Sequence, residues 1–291
     1  MNTVVVVGDV AVDVVAAHSG PVVHGGDSRA RIALTTGGAG ANTAAWLAWC
    51  GAEVALVARV GEDAAGRQAL EELTTAGVRC AFTFDGEAST CCVVVLVDDQ
   101  GQRSMLPDRG ASARMTPDDL DPALLAGAEH LHLSGYVLLD ESTLGAGLAM
   151  LAAARDAGLT TSVDPQAAAL ITDPARFVEE LAGVDLLLPN LDELAALTGS
   201  RSAASAERLL GAFGAVAVTT GPAGASWVDR DGTVSVPAAP GACVDTTGAG
   251  DAFDAGLLSA WLAGKSTEDS LLAGVRAGAL AVGRTGAQPP R

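Results

Sequence analysis

Lysine is nearly missing from this chain: Lys265 is the only one in 291 residues, and the other fixed cations are arginines. With 35 Asp and Glu against 17 Lys and Arg, the formal net charge is -18 at pH 7. Such a surface repels phosphate backbones, which excludes nucleic acid as a partner class. An anionic ligand group must instead be met by arginine, a metal ion, or backbone N–H groups such as those at a helix N-terminus. Aromatic residues are scarce at 3%, so Ala, Val and Leu must fill the core. The five cysteines, Cys50, Cys80, Cys91, Cys92 and Cys243, form no CxxC pair. That excludes a disulfide framework or zinc ribbon and fits a reducing, cytoplasmic setting. No apolar run is long enough to span a bilayer, so no membrane association is expected.

What the sequence does have is alternation. Short β-branched runs at Thr3–Gly8, Val54–Val60, His130–Ser134, Leu159–Asp164, Val184–Pro189 and Ala215–Thr220 read as strands. Between them, Asn42–Cys50, Ala64–Ala76, Ser142–Ala157, Ser205–Phe213 and Ala249–Leu262 read as helices. This pattern predicts an α/β fold, a three-layer α/β/α core with a mostly parallel sheet. Two stretches, about 11–36 and 80–109, are rich in β-formers without intervening helices, with turn signals at Gly25-Gly26 and Asp98-Asp99-Gln100-Gly101. They predict a small β-strand lid, whose edge strands are a candidate homodimer surface. With no repeat and no low-complexity linker, residues 1–291 are expected to form a single domain.

Two glycine-rich segments open helical runs. In Asp245-Thr246-Thr247-Gly248-Ala249-Gly250-Asp251-Ala252-Phe253, backbone N–H groups can converge on an anion while Asp251 accepts a proton from a hydroxyl. An Asp-capped helix after a glycine turn is the simpler structural account of the same residues. In Gly37-Gly38-Ala39-Gly40-Ala41-Asn42, glycine lets a ligand approach the backbone and Asn42 offers both a donor and an acceptor to a polyol. The segment is not a dinucleotide fingerprint, because Thr43 stands where the third glycine is needed and it does not follow the first strand. Gly264-Lys265-Ser266-Thr267 mimics the end of a phosphate-binding loop, but Ser259 occupies the position of its first glycine. Asp164 ends a strand where ligands collect in open α/β sheets.

Together, GGxGxN early and DTTGAGDAF late resemble the ribokinase-like (PfkB) carbohydrate kinase family, in the expected order along the whole chain. The resemblance implies a ribokinase-like fold and an ATP-dependent transfer of phosphate to a small sugar or acid sugar. Asp251 would be the general base, beside the Gly248, Ala249 and Gly250 backbone. Asn190-Leu191-Asp192-Glu193 looks like the family's NxxE element, which implies Mg²⁺ and phosphate organisation through Asn190 and Glu193, with the metal held through water. Thr219-Thr220-Gly221 followed by Gly224 looks like the nucleotide-binding turn. Arg284-Thr285-Gly286 is similar to the segment that encloses a monovalent cation, K⁺, together with Asp245 and Thr247.

Asp13 matches the family's sugar-binding carboxylate, which implies that the acceptor lies among Asp13, Gly38 and Asn42; Asp9 is the rival carboxylate. Arg109-Gly110-Ala111-Ser112-Ala113 resembles the RxxSA segment of 2-keto-3-deoxygluconate kinases, where the arginine meets a carboxylate. Ala11 and Ala39 stand where ribokinase carries Asn and Lys, so ribose is not the leading acceptor. A nucleoside kinase and a catalytically silent sugar-binding protein are the alternatives. The first would need aromatic stacking surface, and the second would lack the base or the glycine turn.

Overall fold

The first strand already shows how the molecule is layered. The structure is a computed structural model that describes residues 2–100 and 103–290, so Gly101 of the expected turn lies outside the described residues. In β1 (Thr3–Val7), Val4 and Val6 enter one hydrophobic cluster while Val5 and Val7 enter another. A strand apolar on both faces is buried on both, as in parallel sheets covered by helices. The chain continues through β2 (Ala11–His18), β3 (Ala30–Gly37), α1 (Ala39–Trp49), β4 (Glu53–Gly61), α2 (Ala64–Thr75), β5 (Val78–Asp85), β6 (Cys91–Val97) and β7 (Arg103–Asp108). Then come β8 (His130–Ser134), α3 (Glu141–Asp156), β9 (Thr160–Asp164), α4 (Pro174–Glu180), β10 (Leu186–Leu187) and α5 (Leu191–Thr198). The last elements are β11 (Ala215–Thr219), β12 (Ala225–Asp229), β13 (Gly232–Val236), α6 (Ala249–Leu262) and α7 (Thr267–Val282).

Nine strands form one sheet in the order β13-β12-β11-β10-β9-β8-β1-β4-β5, parallel from β11 to β5, with β12 and β13 antiparallel at one end. Helices α1, α2, α6 and α7 cover one face, and α3, α4 and α5 cover the other. A separate four-stranded sheet, β3-β2-β6-β7, is the lid. Its register aligns Leu34, Val14, Val94 and Leu106 on one face, with Leu34 and Leu106 exposed at the two edges. Among the described residues no helix is long and apolar enough to cross a membrane.

Three expectations need correction. The second lid excursion begins at Cys91, because Val78–Asp85 pairs in parallel with β4 over its whole length and closes a β4-α2-β5 crossover. The helix expected at Ser205–Phe213 is a 3₁₀ stretch, Ala203–Leu209. The strand expected at Val184–Pro189 pairs only at Leu186–Leu187. The phosphate-loop mimic is a helix start: Ser266 caps α7, its hydroxyl accepting from Asp269 N at 3.1 Å. His130 and His132 form a buried polar rail with Thr160 and Ser162. His130 Nδ1 lies 2.8 Å from Thr160 Oγ1, and His130 Nε2 and His132 Nδ1 both meet Ser162 Oγ. Burial pushes the two imidazoles down to about 3 and about 4, so both are neutral near pH 7.

The carboxyl ends of β1, β8, β9 and β11 all open toward the N-termini of α1 and α6, the usual ligand edge of an open α/β sheet. That closeness depends on bare backbone. A Cβ on Gly40 would lie 2.7 Å from Gly8 Cα, and Ala41 N donates to Asp9 O at 3.1 Å. Neither backbone can give way, so Gly40→Ala should destabilise the fold by about 1–3 kcal/mol in denaturant unfolding. Gly145 in α3 is exposed, with nothing within 4 Å of an added Cβ, and Gly145→Ala should stabilise by about 0.5–1 kcal/mol. Equal effects of the two substitutions would contradict the close approach at Gly40.

Candidate active site

Gly248 starts α6 from the left-handed region, φ 72°, where a Cβ would lie 2.7 Å from that of Ala287. Ala249, Gly250 and Asp251 form the first turn, whose N–H groups have no carbonyl partner within the helix. Asp251 is 7% exposed, and its Oδ2 accepts from Asn42 Nδ2 at 2.9 Å. Asn42 Oδ1 in turn accepts from Gln288 Nε2 at 2.8 Å, and Trp46 Nε1 donates to Ala287 O at 2.8 Å. The C-terminal segment therefore latches α1 to α6. Burial pushes the Asp251 carboxyl up to about 7, and the charge of Asp9 adds to this, while hydrogen bonds from Asn42 and Gln166 oppose it.

On the lid side, Asp13 in β2 fills the space beside Gly37, where a Cβ would lie 2.4 Å from Asp13 Oδ2. Burial, then the charge of Asp9, pushes the Asp13 carboxyl up to about 6. Asp9 itself meets the start of α1, Oδ1 accepting from Gly40 N at 3.4 Å. Arg109 Nη1 donates to Asp140 Oδ2 at 2.9 Å, while its buried Nη2 has no protein partner. Asp9, Asp13 and Arg109 all act on the Cys91 thiol, which burial first of all pushes up to about 12. The structure thus gathers Asp13, Arg109, Gly38 and Asn42 near the mouth of the sheet, with Asp9 among them.

Beyond α6 lies a cavity of about 200 Å³, lined by Asn190, Glu193, Thr219, Gly248, Gly250 and Asp251 among others. Asn190 and Glu193 form a reciprocal cap on α5: Asn190 Oδ1 accepts from Glu193 N at 3.0 Å, and Glu193 Oε2 accepts from Asn190 N at 2.8 Å. Glu193 is 2% exposed, and burial pushes its carboxyl up to about 7 despite those bonds. A backbone bridge joins Asn190 to Thr219, and the following turn closes with Thr220 N on Gly224 O at 2.9 Å, around Gly221. Asp245 Oδ1 accepts from Thr247 N at 2.8 Å and Oδ2 from Gly286 N at 3.1 Å, so these residues meet as a loop pair. Arg284 follows α7 just past its cap, its N–H on Ala281 O at 3.3 Å. Among the described residues no group of three or more His, Cys, Asp or Glu side chains is placed to hold a metal.

Three further residues enter the site. Asp164, at the end of β9, accepts from Gln166 N at 3.0 Å and Gln166 Nε2 at 2.6 Å. Asp254, one turn after Asp251 on α6, is buried and lines the same cavity as Asp164. Burial holds both carboxyls well above the usual carboxylate range, helped at Asp164 by the charges of Glu193 and Asp251 and at Asp254 by that of Asp164. The i, i+3 spacing of Asp251 and Asp254 was a sequence signal for that second carboxylate. Nothing comparable marked Gln166.

The pfkB family carbohydrate kinase model matches residues 1–291. The chain is 33% identical over 257 residues to an ATP-dependent ribose-1-phosphate kinase of Halopiger xanaduensis, covering 87% of this chain and 82% of the relative. It is 34% identical over 258 residues to a fructokinase of Klebsiella pneumoniae, covering 85% and 83%. Among solved structures, Arabidopsis thaliana ribokinase complexed with ribose and ATP superposes with a TM-score of 0.84 at 26% identity, covering 99% of this chain and 96% of that one. With the glycine turns, the lid and the Asp251 site in place, the chain belongs to the pfkB family of carbohydrate kinases.

Proposed function

We propose that this kinase transfers the γ-phosphoryl group of ATP to a hydroxyl of a small neutral sugar, with Asp251 as the general base. The observation that carries the proposal is the Asp251 carboxyl itself: buried at the N-terminus of α6, oriented by Asn42, and titrating at about 7. A base is most effective when its pKa lies near the working pH. The acceptor would lie among Asp13, Gly38, Asn42 and Arg109, where a carboxylate can accept from neighbouring hydroxyls. The nucleotide would lie along the Thr219–Gly221–Gly224 turn toward Asn190.

The N–H groups of Gly248, Ala249 and Gly250 at the start of α6 would balance charge on the transferring group, since the chain offers no lysine at this edge. The cavity fits a divalent ion carried in on phosphates: it has several buried carboxylates but no cage of protein ligands. Glu193 and Asn190 would hold Mg²⁺ through water, and the ion would supply charge neutralisation on the phosphates. Asp245, Thr247, Gly286 and Arg284 would form the monovalent-cation loop.

The charge on the acceptor side selects among substrates. Arg109 is already compensated by Asp140, and Asp9 and Asp13 add negative charge. A carboxylate or phosphate on the acceptor would meet that excess, so an acid sugar is disfavoured. A nucleoside is disfavoured because β2, β3, β6 and β7 carry no Phe, Tyr or Trp on which a base could stack.

Three outcomes follow. Asp251→Asn should lower kcat by about 10²–10⁴-fold with ATP affinity largely kept; turnover near wild type would remove Asp251 as the base. Because folding raises the Asp251 pKa to about 7, the ionised carboxylate costs stability progressively as pH rises from about 4 to 7. Asp251→Asn should therefore raise the thermal midpoint at pH 8, and the gain should fade as pH falls toward 4; a pH-independent difference would contradict the burial argument. In an ADP-release assay, neutral sugars should turn over at least about tenfold faster than acid sugars or nucleosides. The reverse order would retire the acceptor class while leaving the base assignment intact.

A further inference from the structure

Asn42 can meet Asp251 in two ways. An amide fills nearly the same space when its oxygen and nitrogen change places, but only the nitrogen can donate to a carboxylate. In the structure Nδ2 faces Asp251, donating to Oδ2 at 2.9 Å. Asn42 is 6% exposed, so its Oδ1 needs a donor from the protein. Gln288 supplies that donor, Nε2 to Oδ1 at 2.8 Å. With the Asn42 amide reversed, N–H would face N–H at Gln288 and oxygen would face oxygen at Asp251. An oxygen there would repel the ionised carboxylate and favour the protonated acid, which cannot take up a proton.

Gln288 is itself held in place. Two residues earlier Gly286 N donates to Asp245 Oδ2 at 3.1 Å, and the Ala287 carbonyl accepts from Trp46 Nε1 at 2.8 Å. Pro289 follows at once and restricts the Gln288 backbone to extended conformations. Asn42 and Trp46 are four residues apart on α1, so one face of that helix meets the segment twice. Trp46 fixes the backbone at Ala287, and Asn42 receives the side chain of Gln288.

We propose that Gln288 is a positioning residue which selects the Asn42 amide orientation that presents an N–H to the Asp251 carboxylate. Its bond is to Asn42, so its effect on Asp251 passes through that amide. The inference rests on Asp251 being the base, which Asp251→Asn tests separately.

The decisive comparison uses Gln288→Met and Gln288→Glu. Methionine keeps the length of the side chain and removes the donor, while an ionised glutamate keeps the shape and can only accept. Gln288→Met should lower kcat roughly 5- to 50-fold, with KM for ATP within about threefold. It should also move the acid limb of the kcat profile to higher pH, because the Asn42 bond holds the Asp251 pKa down. Gln288→Glu, although closer in shape, should lose more than Gln288→Met at pH 8. Its carboxylate draws the Asn42 N–H groups to itself and turns the oxygen toward Asp251. In an Asn42→Ala background, Gln288→Met should change kcat by less than about twofold, since no amide remains to be oriented.

Normal kcat in Gln288→Met, a Gln288→Glu variant at least as active as Gln288→Met, or the same Gln288→Met loss with and without Asn42 would overturn the inference. Should Gln288→Met fail to fold, Gln288→Glu alone must lower kcat, and normal kinetics there would overturn it. Loss of turnover in Asp251→Asn with normal Gln288 variants would leave the base assignment standing and reject the positioning role.

Discussion

A carboxylate placed where water is excluded must still be able to ionise, and the site is arranged around that constraint. Burial alone would leave Asp251 protonated and unable to act as the proposed base, while too many donors would hold it ionised and weakly basic. At Asp251 the bond from Asn42, 2.9 Å long, works against burial and the nearby charge of Asp9. The balance requires α1 and α6 to meet at their N-termini, which the backbone approach at Gly40 and Gly8 permits. It also requires Gly248 to turn the chain into α6 without a side chain, beside Ala287.

The lysine-poor composition finds its counterpart in the site. Positive charge at the sheet edge comes from oriented backbone groups and from Arg109, which Asp140 already engages. Fixed dipoles of this kind need no reorganisation as charge moves, which favours a reaction whose chemistry is mainly placement and electrostatics. The acidic surface and acidic lining together favour an uncharged acceptor and a nucleotide whose charge arrives partly neutralised.

Much of this was legible in the sequence because the relevant signals are local. The valine run of β1, the Ala/Leu run of α6 and the glycines before them are dictated within a few residues, and the structure reproduces β8 and α6 at the expected bounds. What was not legible depends on partners. Val78–Asp85 and Cys91–Val97 are both β-forming stretches; only pairing with β4 in one case and β2 in the other assigns them to different sheets. Asn190 and Glu193 read as a family motif, and the structure adds that they cap α5, so one pair of side chains serves a helix end and the cavity. Gln166 follows a proline and carries no glycine signal, so its left-handed backbone is imposed by Asp164 from the end of β9.

The latch from Gln288 to Asn42 spans 246 positions of sequence. During synthesis, α1 and its glycine turn emerge from the ribosome early and stay unlatched until Gln288 has been made. The parallel sheet can assemble progressively, but the amide that grips Asp251 is fixed only when the segment around Ala287 docks on Trp46. Folding rates fall as stabilising contacts become more distant in sequence. The grip on the proposed base therefore waits for Gln288, and a nascent chain shorter than that carries the glycine turns of a kinase without the latch.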